Sequence, residues 1–215
     1  MLKSITLFKN NSFNSWIIYK PEFLKLSKDE FEELKNMMPT TAHQVKIFDK
    51  LVDLPRLQLC FGQSYQYSGT TSYAIQEIPQ IIQKAMDMVN EHFMKSTKTN
   101  IPIYKMCLVN YYRNGNDYIG FHSDDEKQII PNTPIYSISL GSKRKFKLKI
   151  KDKFESINCN DKLNEFEIEP DDSSLLIMGG TCQKTHKHSV PKTSKDVNLR
   201  INLTFRAFNN NQVSE

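Results

Sequence analysis

The order of periodic segments predicts an α+β fold, with two amphipathic helices followed by short strands that close into a barrel or double-sheet jelly roll. Three observations carry this. Apolar residues recur at helical spacing in two stretches before residue 95. After Pro102, strand-like runs dominate: 104–111, 135–140, 145–150, 165–168, 174–178 and 200–205, separated by Asn, Asp, Gly and Pro clusters. No repeat or low-complexity linker divides the 215 residues, a length that suits one hydrophobic core.

In chain order, 16–19 is a short β-prone run. Ser27-Lys28-Asp29-Glu30 reads as a capping box, in which the Ser27 hydroxyl satisfies an N-terminal amide and Glu30 reaches back. Phe31, Leu34 and Met38 follow at helical spacing, and Pro39 ends that helix. Residues 45–54 suggest a hairpin, with Ile47-Phe48 near a tip bounded by Asp49-Lys50. A second helix should begin at Pro79, with Ile82, Ala85, Met86, Val89 and Phe93 on one apolar face. The division expected is a single domain over 1–215, with 1–100 an N-terminal extension and lid, 101–208 the jelly-roll core, and a polar tail from Asn209.

Composition excludes several classes. A hydrophobic fraction of 39% and an aromatic fraction of 11% suit a folded globular chain. Lys and Arg number 29 against 24 acidic residues, a net +5 that suits a polyanionic partner and equally an ordinary basic protein. Cys60, Cys107, Cys159 and Cys182 form no CxxC pair, so neither a disulfide framework nor a cysteine zinc site is expected. No apolar run approaches a membrane span, and the first residues lack a small-residue cleavage site. The expectation is a soluble, intracellular monomer.

His122-Ser123-Asp124 is the first chemical candidate. On a strand, residues two apart share a face, so one imidazole and one carboxylate could reach one metal. Alone, His-x-Asp is usually incidental. Either His186 or His188 could complete a 2-His-1-carboxylate set, which leaves open positions on iron(II). The competing reading is two surface histidines among Lys184, Lys187 and Lys192. Residues 200–206 alternate strictly, with Ile201, Leu203 and Phe205 on one face and Arg200, Asn202, Thr204 and Arg206 on the other. That polar face either meets water or lines a barrel interior, where guanidinium forks could hold a dicarboxylate. Asn110 and Tyr112, again two apart, could share that interior.

Together, Asn110-Tyr111-Tyr112, His122-Ser123-Asp124-Asp125-Glu126, His188-Ser189-Val190-Pro191 and the run from Arg200 to Arg206 resemble the AlkB family of nucleic-acid dealkylating dioxygenases, most closely its eukaryotic DNA-repair branch, over about 48–206. The resemblance implies a double-stranded β-helix (jelly roll) with N-terminal helices and a base-recognition lid. It selects His188 over His186, giving Fe(II) held by His122, Asp124 and His188. It implies that Arg200, Asn110 and Tyr112 hold the distal carboxylate of 2-oxoglutarate, with Arg206 near the keto-acid end and Asn202 supporting the pocket. The implied reaction consumes O2 and 2-oxoglutarate, gives succinate and CO2, and releases the alkyl carbon as an aldehyde.

Substrate contacts follow from the same likeness. Arg56, Tyr65 and Tyr67 resemble the lid, with the tyrosines suited to stack on an extruded base, or else packing residues of a β-rich lid. Asp125 and Glu126 follow the metal ligand, and Glu126 would face a base made cationic by alkylation. Phe48 aligns with an apolar wedge of duplex-acting relatives, with a core phenylalanine as the alternative. Lys143, Arg144, Lys145, Lys147, Lys149, Lys151 and Lys153 form a cationic strand face that could meet phosphates or simply water. After His188-Ser189-Val190-Pro191 there are only two lysines, Lys192 and Lys195, where duplex-acting relatives carry a basic triplet. Double-stranded DNA, single-stranded DNA and RNA therefore all stay open as partners. Two further readings compete: a dioxygenase acting on a protein side chain, and a nucleic-acid-binding module with a dead metal site.

Overall fold

The computed structural model describes residues 3–47, 50–67 and 70–209. The elements begin with β1 (Lys3–Lys9), β2 (Asn14–Lys20), α1 (Lys28–Asn36), β3 (Gln44–Ile47), β4 (Lys50–Asp53), β5 (Leu57–Phe61), β6 (Tyr65–Tyr67), β7 (Thr70–Ser72) and α2 (Gln80–Thr97). They continue with β8 (Cys107–Tyr112), β9 (Ile119–His122), β10 (Ile135–Gly141), β11 (Phe146–Ile150), α3 (Asp152–Glu155), β12 (Asp161–Lys162) and β13 (Glu165–Ile168). The last are β14 (Ser174–Gly180), α4 (Cys182–Thr185), β15 (His186–Val190) and β16 (Arg200–Phe205).

Two antiparallel sheets form the body. The larger runs β12-β1-β2-β14-β10-β16-β8-β5 and the smaller β13-β11-β15-β9, with β3-β4 and β6-β7 as separate hairpins. This is the jelly-roll arrangement that the alternation of short strands predicts. The segment before residue 101 contributes β1, β2 and β5 to the large sheet as well as both hairpins.

The capping box of α1 forms as read. The Ser27 amide donates to Glu30 Oε2 at 2.7 Å, and the Glu30 amide donates to Ser27 Oγ at 3.1 Å. The apolar face of α2, including Ile82, Ala85, Met86, Val89 and Phe93, is buried against the outer side of the large sheet, with Tyr104, Tyr136, Leu203 and Phe205 in the same core. That core covers one face of β16 and leaves the other to the barrel interior. A second apolar group, Phe146, Leu148, Leu176, Met178 and Val190 among it, packs between the sheets.

Strands 165–168 and 200–205 have the expected bounds. Among the elements that escape the sequence reading are β1, β5, β9, α3, β12, α4 and β15. The alternation read for residues 146–150 is present, with Phe146, Leu148 and Ile150 buried and Lys147 and Lys149 on the other face. Lys145 and Lys147 pair with Glu167 of the adjacent β13 at 2.6 and 3.1 Å, and Lys149 with Glu155 at 3.9 Å. Lys143 pairs with Asp171. Arg144 is not on a surface strip at all. It is buried and donates to the carbonyls of Asn114, Asp117 and Pro191 at 2.7–2.8 Å, tying three loops together. No helix among the described residues is long and apolar enough to cross a membrane.

Candidate active site

Strand pairing builds the centre of the site. His122 ends β9 and His188 lies on β15, and the two are cross-strand partners. Their rings approach to 4.2 Å between centroids. Asp124 lies two residues beyond the end of β9, in a segment without regular structure, and its carboxylate joins the same cluster as His122. His122 Nε2 stands 3.7 Å from Asp124 Oδ1, and His188 Nε2 stands 3.8 Å from Asp124 Oδ2. One ligand atom from each residue falls within 4.8 Å of the others.

The tautomer of His122 follows from its neighbour. Nδ1 is 2.9 Å from the Gly120 carbonyl, which can only accept, so Nδ1 carries the hydrogen and Nε2 keeps its lone pair toward Asp124. His188 stacks on Phe146, with centroids 5.4 Å apart and planes 22° apart. Burial pushes the His188 imidazole down to about 3, helped by His122, so it is neutral and ligand-competent. Burial also lowers His122. For Asp124, burial opposes the charge, but the Arg206 guanidinium outweighs it and holds the carboxyl below the ordinary range.

His186 shares the strand of His188 but is fully engaged elsewhere. Its Nδ1 meets Thr185 Oγ1 at 2.7 Å and its Nε2 meets the Leu163 carbonyl at 3.0 Å. Both histidines are buried, which removes the surface reading.

The polar face of β16 points into the interior, not into water: Arg200, Asn202, Thr204 and Arg206 are all buried. Arg200 Nη2 donates to Ser139 Oγ at 2.9 Å. Its guanidinium lies 5.2 Å over the Tyr112 ring. Asn202 Nδ2 donates to Ser137 Oγ and to the Ile138 carbonyl, both at 2.8 Å. Arg206 Nη2 donates to Asp124 Oδ1 at 2.7 Å, linking the arginine strand to the metal-ligand cluster. Asn110 Oδ1 accepts from Arg56 Nε at 2.8 Å and from Gln58 Nε2 at 2.7 Å. One cavity is lined by Arg56, Asn110, Tyr112, His122, Asp124, His188, Arg200, Asn202 and Arg206.

These residues fit a cation and a dicarboxylate. Asp124 Oδ2 and the Nε and Nη1 of Arg200 are buried without a hydrogen-bond partner, an arrangement that costs free energy unless something binds there. A neutral His, a second neutral His and an ionised carboxylate form the donor set of a non-haem Fe(II) site.

Asp125 and Glu126 are not among the residues that line this cavity. Asp125 points outward to Lys151, 3.4 Å away. Glu126 and Asp125 line a neighbouring cleft. Burial, against the pull of Arg206, raises the Glu126 carboxyl to about 7. Tyr65 and Tyr67 lie on β6, paired with Ser72 and Thr70, but their side chains lie outside the description. Phe48 lies outside the described residues. Ser137, Ser139 and Gln58 were missed, although the alternation Ser137-Ile138-Ser139 in an apolar run signals two small polar groups on one strand face.

A jelly roll whose interior joins a His-Asp-His set to a buried arginine defines a metal-dependent oxygenase that takes an oxo-acid cosubstrate. The chain belongs to the 2OG-Fe(II) oxygenase superfamily, whose family model matches residues 17–206, and within it to the AlkB family. It is a dioxygenase that uses Fe(II), 2-oxoglutarate and O2. The chain is 30% identical over 195 residues to the human DNA oxidative demethylase ALKBH2, covering 87% of this chain and 71% of the relative. It is 30% identical over 184 residues to the Bos taurus alpha-ketoglutarate-dependent dioxygenase alkB homolog 3, covering 85% and 62%. The solved structure of OsALKBH1 shares the fold, with a TM-score of 0.56 at 19% identity, over 89% of this chain and 96% of that one.

Proposed function

We propose that this chain oxidatively removes alkyl groups from N-alkylated bases in DNA, with RNA as a second polymer it can accept. The observation that carries the reading is the junction of the His122/Asp124/His188 cluster with Arg200 in one buried cavity, in a chain similar to DNA oxidative demethylases. In this reading His122, Asp124 and His188 hold the iron, and Arg200 with Tyr112 and Asn110 holds the distal carboxylate of 2-oxoglutarate. Asn202 braces that pocket through Ser137. Arg206 keeps Asp124 ionised and stands where the keto-acid end would lie.

Bound Fe(II) and 2-oxoglutarate supply the oxidation of the alkyl carbon, coupled to loss of CO2. The chain's own contribution is to keep both imidazoles neutral and to exclude water around the reacting centre. Arg56 fixes the Asn110 amide from the lid side, so that Asn110 turns its NH2 toward the cavity. We assign Tyr65 and Tyr67 to stacking on the extruded base, Asp125 and Glu126 to its approach, and Phe48 to the gap left in a duplex.

Succinate release tests this with N-methylated oligonucleotides in single-stranded DNA, duplex DNA and RNA, with a methylated peptide, and with no substrate. Methylated DNA should stimulate turnover most; stimulation by the peptide alone would replace the reading with a protein oxygenase. A wedge at Phe48 requires that Phe48→Ala lower turnover on duplex DNA far more than on the same lesion in a single strand, because flipping a base costs a few kcal/mol only where it is paired.

A further inference from the structure

Asp124 sits in a segment with no strand or helix of its own, between the end of β9 at His122 and the next described element, β10. A metal ligand on such a segment needs outside support to hold its geometry. Three anchors supply it, all toward β15, α4 and the residue that follows β11. Ser123 Oγ donates to the His186 carbonyl at 2.9 Å. The Asp124 backbone amide donates to Gln183 Oε1 at 3.0 Å. Asp125 meets Lys151 Nζ at 3.4 Å, and the same Nζ donates to the Gln183 carbonyl at 2.8 Å.

Gln183 is the junction of this clasp. Its side-chain oxygen holds the Asp124 main chain, and its own main chain is fastened by Lys151. Its Nε2 reaches Met178 Sδ at 3.5 Å, which directs Oε1 rather than the amide nitrogen at Asp124. Arg206 restrains the carboxylate of Asp124, donating to Oδ1 at 2.7 Å. The side chain and the main chain of this one ligand are therefore fixed by two different residues.

We propose that Gln183 is a positioning residue for the metal centre: by accepting the Asp124 amide hydrogen it holds the Asp124 carboxylate toward His122 and His188. This rests on the reading of those three residues as the metal ligands. The role needs an acceptor at the Gln183 Oε1 position and nothing else from the side chain. Gln183→Met keeps the length and removes the acceptor; Gln183→Glu keeps both.

The test is a titration of the full chain with Co(II), a divalent stand-in that does not oxidise in air under these conditions, followed by the change in its absorption and by calorimetry. Thermal unfolding of the metal-free variants runs alongside. Q183M should weaken Co(II) binding by about tenfold, the lower end of what loss of a group supporting a metal ligand costs, while Q183E stays within about threefold of the parent. Should Q183M fail to fold, Q183N serves, since it draws the acceptor back by one methylene and should weaken binding in the same direction. Parent-like Co(II) affinity in folded Q183M or Q183N, or equal weakening in Q183M and Q183E, overturns the role of Gln183. Asp124→Ala separates the two levels: parent-like affinity in D124A overturns the ligand assignment itself, whereas weak binding by D124A beside parent-like Q183M overturns only the clasp.

Discussion

Whether a histidine binds metal is decided by what its two nitrogens already do. His186 has both occupied, by Thr185 and by the Leu163 carbonyl, while His188 keeps Nε2 facing Asp124. His188→Ala should therefore abolish succinate formation. His186→Ala should keep it and lower the melting temperature instead, since it strands two buried partners. Measuring turnover and melting on both variants separates them, and an inactive but fully stable His186→Ala would reverse the assignment. Arg200 poses a question of shape. Its guanidinium is placed by Ser139 and the Tyr112 ring, with Nε and Nη1 left for a ligand. A lysine offers a point charge and no planar fork. Arg200→Lys should raise the 2-oxoglutarate concentration for half-saturation by about tenfold or more, the value of one charge-assisted hydrogen bond. An unchanged half-saturation would remove Arg200 from the cosubstrate pocket.

At the level of elements, the pairing of β2 with β14 is held by a close fit. Gly179 is the cross-strand partner of Trp16. A Cβ on Gly179 would come within 2.1 Å of the Trp16 ring, so the indole occupies the space a side chain would need. Gly179→Ala should overpack this contact at a cost of about 1–3 kcal/mol, a fall of roughly 2–4 °C in melting temperature per kcal/mol for a chain of this size. Replacing Trp16 by Leu in the same chain should recover part of the loss, because the two changes share one space. Additive losses would mean that the indole does not lie on Gly179. Such a contact was invisible in the sequence, where Gly179-Gly180 reads only as the end of a strand. The elements that were legible had a clean period: α2 with its apolar face, and β16 with strict alternation. The elements that were not legible lack one. β1 carries a bulge between Thr6 and Phe8, β9 is four residues with a glycine, and β15 is His-Lys-His-Ser-Val, polar because it carries the site. The site was legible through its ordered motifs, but Gln58, Ser137, Ser139 and Gln183 were not, since each acts by holding another residue. The two faces of β11 were legible from their alternation, but their ion pairs were not: the sequence shows the lysines of β11 but not the glutamates of β13 that register against them.

For the molecule as a whole, burial of histidine governs the response to acid. The chain has five histidines, and burial lowers the affinity of every one for a proton: His43, His92, His122, His186 and His188. In each case the folded state disfavours the protonated imidazole, while the unfolded chain protonates near pH 6.5. The unfolded state therefore binds more protons below that value, and stability falls as pH falls. Glu126 works the other way. Its carboxyl is raised to about 7 in the folded chain, so the stability it contributes is present below its unfolded value near 4.5 and is lost as pH rises through about 7. Five groups oppose one across the window from 6.5 down to 4.5. Below it, the lowered carboxyls of Asp124, Glu30, Glu91, Glu167 and Asp171 add to the loss in the same direction as the histidines. The metal-free protein should thus melt at a lower temperature at pH 5.0 than at pH 7.5, in a chelator-containing buffer of constant ionic strength. His92→Gln should flatten that slope, because His92 lies far from the ligand cluster, against Tyr136 and Phe23, and its substitution leaves the site untouched. A melting temperature that holds or rises between pH 7.5 and pH 5.0 would mean that Glu126 outweighs the five imidazoles, and the burial argument for the whole set would fail.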